Sequence, residues 1–204
     1  MTERKIILAS ASPRRRALLE QIGVVHEAVR ADIDETPRQG ERARDYALRL
    51  SRAKARAVLE RLPAAGAWPV LGADTVVESG GEILTKPRNQ GEGIAMLEKL
   101  SGKCHHVYTA VTLLGEREHS RLSETRVTFR DIAPGERLAY WQSGEPRGKA
   151  GGYAIQGLGA VFVRRIEGSY SGVMGLPLFE TAELLERCGI RLLAVPHDNF
   201  GYEL

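Results

Sequence analysis

The chain has 204 residues, 43% of them hydrophobic and 27% charged, and a formal net charge of +3; that length supports one substantial domain with a real core, and the charge is too small for a general nucleic-acid binder. The basic residues are lopsided, with only six lysines among 29. Cys104 and Cys188 belong to no CxxC pair, which argues against zinc and for two reduced thiols, while the short apolar run 6–9 fits no secretory signal and no run approaches the ~20 residues of a membrane span.

Residues 5–9 read as a buried strand. Ser12 has N-cap chemistry and Pro13 suits the first helical position, so a helix is expected over 13–22, with Leu18, Leu19 and Ile22 on one face and Gly23 as its stop. The acidic segment Asp32-Ile33-Asp34-Glu35-Thr36-Pro37 follows. A long helix is expected over 42–62, where Tyr46, Leu50, Ala53 and Ala57 recur at helical spacing, Lys54 lies beside that stripe, and Pro63 closes it. Residues 69–77 read as a strand broken or bent near Gly72, and Ser79-Gly80-Gly81 as a hairpin turn into a strand over 82–85. A helix over 91–100, strands over 105–114 and 119–130, and a short helix over 135–142 come next. The segment 143–159 holds six glycines in seventeen residues and reads as a loop. A strand over 160–166, a helix over 178–187 and a last strand over 191–195 complete the order. Neither repeat nor linker divides residues 1–204, which read as a single domain. Its βα units at both ends, with hairpin-like pairs between, predict an α/β fold with a mixed sheet.

Polar segments interrupt this pattern. In Leu8-Ala9-Ser10-Ala11-Ser12-Pro13-Arg14-Arg15-Arg16, first-turn amides, the positive end of the helix dipole and guanidinium groups together attract anions; a solvated arginine cluster on an ordinary turn is the plainer reading of that segment taken alone. Asp74, in Gly72-Ala73-Asp74-Thr75-Val76-Val77, is a carboxylate inside an apolar strand, where burial without a partner is costly. It either caps a backbone group at a bend or serves as a metal ligand or general base at the end of a buried strand, where α/β sheets bind ligands. Glu35, Lys54 and Lys86 each have an ordinary reading as solvated charges. In one cleft they suit a polyphosphate and its Mg²⁺, which binds few carboxylates and leaves room for phosphate oxygens.

The glycine-rich segment, which also carries Glu145, Lys149 and Gln156, matches neither known phosphate cradle. No G-x-x-x-x-G-K-[ST] occurs, and Gly157-Leu158-Gly159 precedes a strand, where a dinucleotide fingerprint follows one. Its glycines fit sharp turns or close backbone approach. His105 and His106, adjacent on a strand, point to opposite faces and do not chelate one ion.

In this order the segments resemble the Maf family of nucleoside triphosphate pyrophosphatases. The match runs from about Lys5 to Gly189 and includes the Ser-Pro-Arg-Arg turn, Asp34-Glu35, Lys54, the Asp74 strand, Thr85-Lys86-Pro87-Arg88, Tyr153-Ala154-Ile155-Gln156-Gly157, Gly168-Ser169-Tyr170 and Gly175-Leu176-Pro177-Leu178. The resemblance implies a fold of the inosine triphosphate pyrophosphatase type: a mixed, bent sheet flanked by helices, two lobes and a central cleft. It implies cleavage of a nucleoside triphosphate to the monophosphate and diphosphate in the cytoplasm, with a divalent metal, Mg²⁺ or Mn²⁺. Ile155-Gln156-Gly157 and Lys149-Ala150-Gly151 look like the branch acting on dTTP and UTP, with house-cleaning of modified pyrimidine nucleotides and a link to cell-division arrest implied in turn. By position, Asp74 matches the family's proposed proton acceptor, Arg14, Thr75 and Gln156 its specificity positions, and Arg15, Glu35, Lys54 and Lys86 other site residues. Their chemistry suits Ser10, Arg14, Arg15, Lys54 and Lys86 to the phosphates and Glu35 and Asp74 to the metal, where base and ligand roles compete for the Asp74 carboxylate. Gly148 departs from the acidic residue expected there, and Arg16 is expected in solvent. The expected partner is a small nucleotide, with no stable nucleic-acid complex and no membrane, and a homodimer is implied. Two rivals stay open: a 7-methyl-GTP or purine-specific pyrophosphatase of the same fold, and a non-enzymatic nucleic-acid-binding regulator.

Overall fold

The apolar run at the N-terminus forms strand β1 (Lys5–Leu8), and the Ser-Pro turn after it opens helix α1 (Pro13–Gln21). The computed structural model describes residues 5–62 and 68–193. There follow β2 (Val25–Ala28), α2 (Ala43–Leu59), β3 (Val70–Ser79), β4 (Glu82–Leu84), α3 (Gln90–Leu100), β5 (Cys104–Leu114), β6 (Glu118–Phe129), α4 (Pro134–Gln142), β7 (Val163–Glu167), α5 (Tyr170–Met174) and α6 (Leu178–Arg187). The strands join one mixed sheet in the order β2-β1-β3-β5-β6-β7, with β4 also on β3. β1 runs parallel to β2 and β3, and the remaining pairs are antiparallel. Helices cover this mixed sheet, so the α/β class is the one observed.

Side-chain alternation along β3 sorts the core. Leu71 and Ala73 join Ile6, Leu8, Leu18, Leu184 and Leu185 on the face of α1 and α6, while Val70 and Val76 pack with Ala55, Val58 and Leu50 of α2 on the other. Gly72 lies on the α2 face, where an added Cβ would stand 2.8 Å from the Ala55 amide nitrogen and collide with the Ser51 carbonyl. The expected break near Gly72 is therefore corrected: β3 runs unbroken, and the missing side chain lets α2 lie against it. Further along, Val77 joins a second cluster with Leu84, Leu97, Leu100, Val107 and Phe129. Apolar packing thus changes hands at Asp74 and Thr75.

Strand pairing explains why that point is open. β5 occupies one edge of β3 from Val70 to Glu78. On the other edge β1 pairs only Ile7 with Val70 and Leu8 with Leu71, and pairing with β4 begins at Val77, opposite Leu84. Residues 72–76 between them pair with no strand on that edge among the described residues, and the chain after β1 turns away there.

Other expectations shift. β2 was not expected: Val-His-Glu-Ala is mostly exposed and carries no alternation, and pairing with β1 alone makes it a strand. The strand expected from residue 160 starts at Val163, because 158–162 form a 3₁₀ turn. The five-residue α5 follows Ser169, whose side chain accepts from the Gly172 amide. α2 ends at Leu59, and Pro63 lies outside the described residues. Residues 191–193 form no strand, and 194–195 lie outside the described residues. Among the described residues no helix is long and apolar enough to cross a membrane.

Candidate active site

A cleft of about 990 Å³ opens at the unpaired edge of β3, and Ser10, Arg14, Arg15, Glu35, Lys54, Asp74, Thr75, Lys86 and Gln156 all line it. A cavity of that size accommodates a nucleotide.

Its centre is a charge ladder. Lys54, on the α2 face that covers β3, reaches Asp74 Oδ1 at 2.6 Å and Glu35 Oε1 at 2.7 Å. Lys86, just past β4, reaches Glu35 Oε2 at 2.9 Å. Lys54 and Asp74 are only 8% and 5% exposed. The acidic loop is held in place by the Tyr46 hydroxyl, which donates to the Glu35 carbonyl at 2.8 Å. Neighbouring Asp34 is spent locally, accepting from the amide and hydroxyl of Thr36. Burial pushes the Asp74 carboxyl up, against the pull of Lys54 and Arg15. Its Oδ2 is buried and makes no hydrogen bond among the described residues, so one oxygen is anchored and the other is available.

Burial acts upward on Glu35 too, but hydrogen bonds from Lys54 and Lys86 outweigh it and hold the carboxyl at about 2. A depressed carboxylate stabilises the fold at pH above its unfolded value near ~4.3, and that contribution fades as pH falls towards 2. Between about pH 4.5 and pH 2, Glu35→Gln should therefore lose less stability than the parent chain, a difference read by denaturant unfolding at each pH.

The arginines of α1 divide in function. Arg15 donates from Nε to the Gly175 carbonyl (2.7 Å), from Nη1 to Ser10 Oγ (3.1 Å) and from Nη2 to Thr75 Oγ1 (3.2 Å). Thus it ties the turn after β1, strand β3 and the loop after α5 into one wall, with two of the five guanidinium N–H donors left over. Arg14 instead has a buried Nε without a hydrogen bond among the described residues. Ser10 Oγ also accepts from the Ser12 amide at 3.2 Å, which leaves its own hydroxyl hydrogen to give. Ser12 occupies the N-cap position, but its hydroxyl makes no capping bond. The first-turn amides of α1 therefore face the cleft uncapped by that side chain. Arg16 is exposed, as expected.

Several residues that shape the site were not singled out by sequence. Thr109 stands opposite Thr75 across β3 and β5, 3.0 Å from its hydroxyl, and donates to the Gly172 carbonyl at 2.7 Å. Only the strand register reveals this. Helical spacing puts Tyr46 in an apolar stripe, which its ring satisfies, and nothing in that spacing marks its hydroxyl. Arg88 of the Thr-Lys-Pro-Arg segment turns to Glu92 at the surface. His105 is buried against Phe129 and Tyr153, bonds Tyr153 through Nε2 at 2.9 Å, and burial lowers it to about 4. His106 lies nearer Glu78 and Glu124, so the pair does diverge.

Comparison with known proteins places this chain in a family. The Maf-like protein family model matches residues 5–188. The dTTP/UTP pyrophosphatase of Myxococcus xanthus is 54% identical over 187 residues, covering 92% of this chain and 94% of that protein. Those of Methylobacillus flagellatus and Alkalilimnicola ehrlichii are each 51% identical, covering 92% and 89% of this chain and 94% and 91% of theirs. Among solved structures, the Ham1 protein of Staphylococcus aureus is similar at a TM-score of 0.41 and 16% identity, covering 64% of this chain and 72% of that one. With a family model and half-identical relatives spanning nearly its whole length, the chain belongs to the Maf-like protein family.

Proposed function

We propose that the protein hydrolyses dTTP and UTP at the α–β phosphoanhydride bond, releasing the nucleoside monophosphate and diphosphate. The observation that carries this reading is the cleft itself, where Lys54 and Lys86 converge on Glu35 and Asp74, Arg14 and Arg15 line the same wall, and one Asp74 oxygen is buried without a hydrogen bond among the described residues. Relatives about half identical over some nine-tenths of this chain carry the name dTTP/UTP pyrophosphatase.

A triphosphate is a polyanion, and catalysis of its in-line hydrolysis is largely placement and charge neutralisation. Arg14, Lys54 and Lys86 hold the phosphates, the Ser10 hydroxyl donates to a phosphate oxygen, and Arg15 fixes the wall that carries Ser10 and Thr75. Asp74 Oδ2 accepts the proton from the attacking water; a carboxyl pushed up by burial is the better base for that task. The donor set fits a divalent cation: Glu35 and Asp74 are two hard carboxylates on one side of the cleft, and Mg²⁺ or Mn²⁺ would take the rest of its shell from phosphate and water. When bound, the ion would neutralise charge on the phosphate oxygens. Lys54 favours the ionised form of both carboxylates against burial, and Lys86 that of Glu35.

Gln156, exposed at the cleft wall, offers an amide oxygen to the N3–H of uracil or thymine and an amide N–H₂ to O4. Turned over, the same amide serves cytosine, so discrimination depends on how its surroundings hold it. A panel of dTTP, UTP, CTP, dGTP and 7-methyl-GTP, with monophosphate and diphosphate resolved, should show dTTP and UTP turned over fastest. A preference for either guanine nucleotide would overturn the pyrimidine reading.

A further inference from the structure

Phosphate and metal binding leave the glycine-rich segment and Glu145 without a role. In the structure Glu145 Oε1 accepts from the Tyr140 hydroxyl at 2.6 Å and from the Gly159 amide at 2.9 Å, and Oε2 accepts from the Leu158 amide at 2.9 Å. The Tyr140 hydroxyl in turn accepts from the Ala154 amide at 3.0 Å. Between these anchored amides runs a tight turn closed by the Gly157 amide on the Ala154 carbonyl at 3.2 Å. Its third residue is Gln156. Tyr153 and Ile155 before it are buried, each 5% exposed, so Gln156 alone points away from the core.

The glycines are what allow this clamp to close. A Cβ at position 157 would lie 2.6 Å from the Glu145 carboxyl carbon, and one at position 159 would lie 2.6 Å from the Tyr140 hydroxyl oxygen. Neither approach is possible with a side chain in the way. Bonds to a carboxylate are among the stronger hydrogen bonds, and here they gather three donors onto one group.

The geometry points to Tyr140 and Glu145 as a positioning pair that clamps the Gln156 turn from both sides and so sets its amide at reading distance from a pyrimidine edge. This rests on the specificity reading of Gln156 given above. A hydrogen bond to a base edge has a window of a few tenths of an ångström. A glycine-flanked turn released from its clamp samples a wider range and reads the edge less well. Ser10, Lys54 and Lys86, assigned to the phosphates, make no hydrogen bond to this clamp among the described residues, so the loss falls on base binding and appears in KM more than in kcat.

The test is the ratio of kcat/KM for dTTP to that for CTP in the parent chain, Tyr140→Phe, Glu145→Gln, Gln156→Ala and the double variant Tyr140→Phe/Gln156→Ala. Tyr140→Phe keeps the ring, which packs edge-on against Phe162 at 5.1 Å between centroids. Glu145→Gln replaces one acceptor oxygen by a donor that meets an amide N–H. Each single variant should lower the ratio roughly tenfold, chiefly through KM for dTTP. The double variant should match Gln156→Ala alone, because a clamp has nothing to position once the reader is gone. An unchanged ratio in both Tyr140→Phe and Glu145→Gln, with Gln156→Ala collapsing it, overturns the clamp and spares the Gln156 reading. An unchanged ratio in Gln156→Ala overturns both.

Discussion

Asp74→Asn should lower kcat for diphosphate release from dTTP by roughly 10²–10⁴-fold while the fold survives. The substitution keeps the size of the side chain and an oxygen for Lys54, so the 2.6 Å contact from Nζ can persist as an ordinary hydrogen bond. What it removes is the ionisable second oxygen, the one buried without a bond. Lys54 also keeps its second partner, Glu35. The unfolding midpoint should therefore move little, and the rate should collapse. A variant that turns over dTTP at near the parent rate would remove Asp74 from the role of base.

Lys54→Met should have the largest effect on stability. Lys54 and Asp74 form a buried pair, and taking away one member leaves the other as an uncompensated buried charge, at a cost of about 3–5 kcal/mol. The carboxyl, already pushed up by burial, then rises further as its main opposing influence is lost, and the variant should unfold at lower denaturant as pH rises from acid to neutral. Adding Asp74→Asn to Lys54→Met should restore much of the lost stability, since no buried charge is then left alone, and should restore no activity. Equilibrium unfolding of the two single variants and the double measures this coupling directly. Full additivity would mean that the two side chains do not depend on each other.

The parts of the site that lie within one segment were legible from residue order. Ser10 to Arg15 reads as strand, turn and helix because Pro13 and the apolar run before it leave few alternatives. Asp74 stands out because a carboxylate in Val-Leu-Gly-Ala-Asp-Thr-Val-Val demands a partner. That the partner is Lys54 follows from α2 packing on β3 at Gly72, a contact made across twenty residues and readable only once the glycine is seen against Ala55. Nor does any local pattern show the gap on the edge of β3, which arises because β1 pairs with only two of its residues and β4 joins it only from Val77.

The misses have the same origin. β2 owes its conformation to β1 and carries little apolar signal of its own. Residues 160–162 read as strand by composition, yet the Glu145 carboxylate draws in the Leu158 and Gly159 amides just before them, and a 3₁₀ turn over 158–162 results. Glu145 is one of few charged residues in its glycine-rich loop, but its role needs Tyr140 and Gly157 in the same place, and those lie on separate elements. Arg14 and Arg15 are equivalent as letters. Their difference, one guanidinium spent on protein acceptors and one with a buried nitrogen to spare, belongs to the fold.

The most direct measurement is the hydrolysis of dTTP in water carrying heavy oxygen, in the presence of Mg²⁺ or Mn²⁺, with the products weighed by mass spectrometry. Attack at the α-phosphorus puts the label in dTMP and leaves the diphosphate unlabelled. Label in the diphosphate would move the attack to the β-phosphorus and contradict an α-directed water, and release of orthophosphate with dTDP would contradict cleavage of the α–β bond itself.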